Sequence, residues 1–165
     1  MTNQNDAPVL DAEHVAFVTG DAISSAVAAR DATHQPSLAK GFAVRVRADR
    51  RVVELFVDAE RAAPLLQDVR AGSPVALVCS EPMSHRTIQI KGPRADIEAL
   101  APGDEQFVAT KVDALVAHIV PLGYPSAVLR AYFAFTPATL IKLVFVVSAA
   151  FVQTPGPGAG APLKS

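Results

Sequence analysis

The polar and apolar positions of this chain alternate with period two over several short stretches, and with helical spacing over only a few. Val52 to Asp58 and Val75 to Ser80 are short runs rich in β-branched residues, and they predict strands. Ile23 to Arg30 and Ser37 to Arg47 predict a hairpin around an Asp31–Pro36 turn, whose Asp, Thr and Pro are turn formers. In the return strand Leu38, Phe42, Val44 and Val46 share one parity; Arg45 and Arg47 share the other. Arg86 to Ile97 predicts a strand bent at Gly92-Pro93, and Leu140 to Val152 a long final strand. Helical spacing predicts Ala59 to Ala71, stopped by Gly72, and Asp104 to Val120. Shorter helices are predicted at Asp11 to Phe17, with Asp11 as N-cap, and at Ala127 to Tyr132.

Consecutive antiparallel strands with few helices predict a mainly β fold, a barrel or sandwich with helices at its margins. The boundaries expected are a tail at 1–10, one domain at 11–153, and an arm at 154–165 too rich in Pro and Gly for regular structure. An apolar strand running into such an arm is a way to embrace a partner.

Composition narrows the classes. Of 165 residues, half are hydrophobic and 19% are charged, which is the composition of a globular domain. A net charge of −1 gives no global field to draw nucleic acid or an anionic membrane. The apolar run at 140–152 is short of the roughly 20 residues a span needs, and Lys142 interrupts it. The N-terminus lacks an apolar signal region, so a cytoplasmic protein is expected. Cys79 is the single cysteine and forms no disulfide within the chain. His14, His34, His85 and His118 lack zinc-ligand spacing; His118 reads as a core or interface residue.

The stretch Ser84-His85-Arg86-Thr87-Ile88-Gln89-Ile90-Lys91-Gly92 carries the candidate chemistry. Ile88 and Ile90 face a core, while Thr87, Gln89 and Lys91 present a hydroxyl, an amide and an ammonium on the other face. That face suits a polar, anionic ligand; a merely solvated face fits the same pattern. Tyr124 and Tyr132 flank a Pro-containing bend and could wall a pocket or pack a core.

Taken in order, Arg30-Asp31-Ala32 to Pro36-Ser37, Lys40 to Arg45, Leu55-Phe56-Val57-Asp58 with the following Arg61–Val69 helix, Arg86 to Gly92, and Ala150 to Pro157 resemble the pyridoxamine 5'-phosphate oxidase-like family. The resemblance implies a split β-barrel, a homodimer, and FMN bound at the subunit interface. It places Lys40 and Arg61 toward the phosphate, and Arg86, Thr87 and Gln89 along the flavin ring. Lys40 and Arg45 are five apart and face opposite sides of a strand, so Arg45 points toward substrate or across the dimer. His85 is the proton-donor or axial-ligand candidate. Asp58 and Glu60 depart from the pattern, since carboxylates near a phosphate repel it. Thr87 stands where the oxidase has Gln, and the oxidase's basic C-terminal segment is missing, so true pyridoxamine phosphate oxidase activity is not expected. The resemblance implies a flavin-dependent oxidoreductase acting on a small molecule; the alternatives are a non-catalytic flavin or haem-type ligand-binding dimer and a cofactor-free structural module.

Overall fold

The computed structural model describes residues 9–163. Residues 1–8 of the expected tail, and the last two of the arm, lie outside the described residues. The elements are α1 (Ala12–Val18), β1 (Ser24–Arg30), β2 (Pro36–Gly41), β3 (Ala43–Val46), β4 (Val52–Asp58), α2 (Ala63–Arg70), β5 (Val75–Ser80), β6 (Thr87–Gly92), β7 (Asp96–Glu98), α3 (Asp104–Ile119), α4 (Ser126–Tyr132), β8 (Leu140–Val146) and β9 (Ala149–Val152). None of the described helices is long and apolar enough to cross a membrane.

The strands form two antiparallel sheets, ordered β2-β1-β5-β6-β9 and β3-β4-β8-β7. Four connections leave one sheet and enter the other: β2–β3, β4–β5 through α2, β6–β7 and β8–β9. The first and last of these correct the reading of Ser37–Arg47 and Leu140–Val152 as single strands. The break at Phe42 also resets the parity of the first: Leu38 is 66% exposed, whereas Phe42 and Val44 are buried.

The corners are tight. A Cβ on Gly41 would lie 2.3 Å from the Ser25 hydroxyl and 2.6 Å from Leu55, and one on Gly92 would lie 2.5 Å from the Phe145 ring. Gly92→Ala therefore overpacks the corner and is expected to cost about 1–3 kcal/mol of stability, read as a lower urea midpoint.

The main core lies between the sheets. Val27, Leu77, Ile88, Ile90, Leu55, Leu143 and Phe145 fill it, with Leu10 and Val18 from the N-terminal region and Leu65, Leu66 and Val69 from α2. The two faces expected of β6 are present: Ile88 and Ile90 are buried, and Lys91 is exposed. α2 starts at Ala63, four residues later than expected. The reason is Asp58, whose carboxylate accepts the Glu60 and Arg61 N–H groups and the Thr139 hydroxyl, turning the chain before the helix. Asp11 caps α1 as expected, accepting the His14 N–H at 2.7 Å.

A second core covers the outer side of the four-stranded sheet, where Phe42, Phe56 and Leu140 meet Val108, Val112, Leu115 and Val116 of α3 and Leu129 of α4. Among the described residues, the outer side of the five-stranded sheet has no such apolar core over it. Register places Lys40, Ala26, Val78, Gln89 and Phe151 in one row across it, and Leu38, Ala28, Ala76, Lys91 and Ala149 in the next. The C-terminal residues fold back on their own β9: the Leu163 N–H donates to Ala150 and the Val152 N–H to Ala161. The arm thus shields the sheet edge, and Leu163 packs against the main core.

Candidate functional site

Lys40 ends one row of the uncovered face, and its ammonium is drawn under α4. The Nζ atom sits 4.0 Å from the Phe133 ring centre and 4.5 Å from that of Tyr132. No carboxylate among the described residues pairs with it. Burial without a counter-charge pushes its pKa down to about 8. The π-faces of the two rings oppose part of that cost.

Around Lys40 lies a cavity of about 780 Å³. Ser24 and Lys40 come from the sheet, Pro82, Met83 and His85 from the β5–β6 loop, and Ile119, Leu122, Tyr124, Leu129 and Tyr132 from the end of α3 onward. The size and the mostly apolar wall with few polar groups suit one planar small molecule. Tyr124 and Tyr132 do line a pocket. The signal for this wall was present in Leu129, Tyr132 and Phe133, three and four residues apart on one helical face, but nothing local tied it to Lys40.

The β5–β6 loop is built on Glu81. Its carboxylate accepts the Met83 N–H at 3.0 Å and the Ser84 N–H at 2.6 Å, and meets the His118 imidazole of α3 at 2.5 Å. His85 then adopts φ +60°, the left-handed region uncommon for a residue with a side chain. Bonds from Ser84 foremost, with those from Met83 and His118 and against the pull of burial, hold the Glu81 carboxyl at about 2. A depressed carboxyl stabilises the fold fully above its ordinary value near 4.5, and that contribution is lost as pH falls toward about 2. The Met83 and Ser84 amide resonances are therefore expected to titrate with a midpoint near pH 2 rather than 4.5. A midpoint at the ordinary value would mean that the carboxylate does not hold the loop.

The other sequence candidates lie as follows. Arg61 donates to the Ala134 carbonyl at 2.8 Å, one residue past Phe133 and outside the cavity lining. Arg86 reaches α1, bonding Glu13 at 2.9 Å and stacking over Phe17. The Thr87 hydroxyl meets that of Ser80 at 2.9 Å, and its N–H donates to Thr154. Gln89 shares the Lys40 row, three strand spacings or about 14 Å away. Arg45 lies on the far side of the four-stranded sheet, bonded to Asp104 at 2.8 Å and Glu54 at 3.1 Å. So Lys40 and His85 meet in one cavity; Arg61, Arg86, Thr87, Gln89 and Arg45 do not line it. Asp58 is turned inward, only 5% exposed and bonded three ways, and Glu60 is exposed. Cys79 is buried in the core, its thiol pushed up to about 12 by desolvation.

No protein-family model matches the chain, and no curated protein matches it in sequence. Solved structures do match. A candidate pyridoxamine 5'-phosphate oxidase from Lactobacillus delbrueckii superposes with TM-score 0.53 at 15% identity, over 86% of this chain and 93% of that one. HupZ of group A Streptococcus gives 0.54 at 11% identity, over 92% and 100%. An F420 reductase gives 0.54 at 13% identity, over 86% and 98%. At these identities the likeness establishes the architecture: the chain has the fold of the pyridoxamine 5'-phosphate oxidase-like and F420 reductase proteins, the group its residue motifs resemble.

Proposed function

We propose that this chain is a split-barrel protein that binds a planar, anionic cofactor, FMN, in the Lys40 cavity and uses it as a flavin-dependent oxidoreductase on a small molecule. The observation that carries this reading is the Lys40 ammonium, held among aromatic rings with no carboxylate partner among the described residues. A ligand phosphate supplies the missing charge, and a charge-assisted hydrogen bond in such a site is worth more than one in water. The aromatic and aliphatic wall suits the faces of an isoalloxazine ring. The inward turn of Asp58 removes the repulsion that its sequence position suggested. When bound, the flavin supplies hydride or electron transfer. The chain's own part is to hold the phosphate at Lys40, to exclude water with Leu129, Tyr132 and Met83, and to offer the His85 imidazole to the cavity as a proton donor.

Assembly belongs to the same reading. The Lys40 row of the uncovered face presents Ala26 and Val78 with Phe151, a small-residue surface that a second copy of the chain covers well. A homodimer is expected, read as mass by light scattering.

A haem-type ligand is the second reading, favoured by Met83 and His85 on one wall of the cavity. The absorbance spectrum of the purified protein, with heat-released cofactor identified by mass, tests both. Flavin bands with released FMN support the first reading. A Soret band supports the second. A colourless protein that ignores both added ligands overturns them. Anaerobic bleaching of bound flavin by NADH or NADPH then separates an oxidoreductase from a carrier.

A further inference from the structure

The far end of the uncovered sheet face holds a second cavity, of about 510 Å³, between Arg30 and His34 on one side and Lys91 and Ser148 on the other. Its floor includes Ala28 and Ala76, which register places in one row with Lys91. Lys91 therefore stands two strand spacings, about 10 Å, from β1. Alanines between two long cationic side chains leave room for both to converge on one group. Arg30 ends β1, six residues along the strand from Ser24 of the Lys40 cavity, so the two cavities lie about 20 Å apart.

Three features distinguish this cavity from a stray basic patch. First, its lining contains no carboxylate. Arg45, Arg47, Arg86, Lys111, Arg130 and Lys142 each face an acid, whereas among the described residues Arg30 and Lys91 face none. Lys91 lies over the Phe151 ring at 4.9 Å, and Arg30 contacts the His34 imidazole.

Second, the acid next to Arg30 in sequence, Asp31, is engaged through one oxygen by its own turn. Asp31 Oδ1 accepts from the Thr33 N–H at 2.7 Å, the Thr33 hydroxyl at 2.8 Å and the Gln35 N–H at 2.9 Å. Asp68, in an adjoining hollow, takes the Ser37 hydroxyl.

Third, the Asp31 turn fixes His34 at φ +66° with its ring against Arg30. The Arg30 guanidinium meets the edge of the ring at Nδ1, with Nε2 at 3.4 Å. Guanidinium and ammonium are donors only, and with the imidazole beside them the set suits an anion rather than a cation.

We propose that this cavity is a second ligand site, separate from the Lys40 cavity, and that it takes a phosphate group through Arg30, His34 and Lys91. The hydrophobic part of its lining, Val75, Pro74 and Pro93, accommodates an organic group on that phosphate.

Titration of the ¹⁵N-labelled chain, in whatever assembly it adopts, with inorganic phosphate and with phenyl phosphate tests this at low ionic strength. Saturable shifts at the Ala28, Arg30, His34 and Lys91 amides are expected, weakening as salt is added. Binding is expected to fall at least tenfold in Arg30→Gln/Lys91→Gln, two exposed positions whose replacement leaves the core intact. Lys40→Gln is expected to leave these shifts unchanged, so failure of the flavin reading and failure of this one are separable. Tighter binding of phenyl phosphate identifies an organic phosphate as the occupant, and equal binding identifies free phosphate. Shifts that do not saturate, or that persist in the double variant, overturn the proposal.

Discussion

Replacing Asp104 by alanine is expected to lower folding stability by about 3–5 kcal/mol, the range for breaking a buried ion pair from one side. Asp104 is the first residue of α3 and is almost fully buried. Its carboxylate receives Arg45 at 2.8 Å, Lys142 at 3.1 Å and the Ala101 N–H at 2.8 Å. Burial works against its charge, but the Ala101 N–H, Arg45 and Lys142 together hold its pKa below the ordinary value. Removing it leaves the Lys142 side chain, 7% exposed, with Glu98 at 4.0 Å and the more distant field of Glu54. Arg45 keeps Glu54 and some solvent, so most of the loss falls on Lys142. Urea unfolding is expected to show a lower midpoint with an unchanged slope. A loss under about 1 kcal/mol would mean that Lys142 finds water, and that the network does not pin α3 to the sheet. The consequence reaches the Lys40 cavity, because the far end of α3 supplies Ile119 to its wall and His118 to its loop.

Lys40→Glu is expected to weaken FMN binding by about 1.5–3 kcal/mol, the range for a charged hydrogen bond, and by more where the new carboxylate repels the phosphate. Fold stability should change much less, since Lys40 has no ionic partner among the described residues to lose and packs through its stem and two rings. The contrast separates a binding residue from a structural one. Arg45→Gln is expected to behave in the opposite way, lowering stability through the Asp104 network. Unchanged FMN affinity in the Lys40 variant would remove the phosphate assignment.

These two residues also show what the sequence could disclose. Lys40 and Arg45 lie five apart and point different ways, as strand alternation required. The structure separates them further, because the chain changes sheets at Phe42. That corner left no mark in the hydrophobic pattern. Gly41 marks it through the missing Cβ, and reading that mark requires knowing that Ser25 and Leu55 lie opposite.

The run from Leu140 to Val152 hid its corner for another reason. β8 is buried on both faces, against the main core through Leu143 and Phe145 and toward α3 through Leu140, so no alternation was available to break at Ser148. By contrast, β6 has one buried face, and its two-sided character was plain from Thr87 to Gly92. The Asp11 cap and the Asp31 turn are local hydrogen-bonding devices and were equally legible.

The candidate site was legible only in part for the same physical reason. Lys40 and His85 stood out as basic residues near strand ends. What gives Lys40 its character is a pair of rings more than ninety residues away in sequence. The resemblance placed Arg86 along the flavin ring, yet its partners Glu13 and Phe17 belong to α1. Side-chain destinations of this kind follow from the packing of distant elements, which alternation and capping do not encode.

The central claim is that the Lys40 ammonium recognises the phosphate of a flavin. It is tested most directly by titrating the wild-type chain and its Lys40→Gln variant with FMN and with riboflavin, read by flavin fluorescence. The wild type is expected to bind FMN at least tenfold more tightly than riboflavin, and the variant to lose this preference while its riboflavin affinity stays nearly constant. Equal affinities for the two flavins in the wild type, or a preference that survives in the variant, would contradict it.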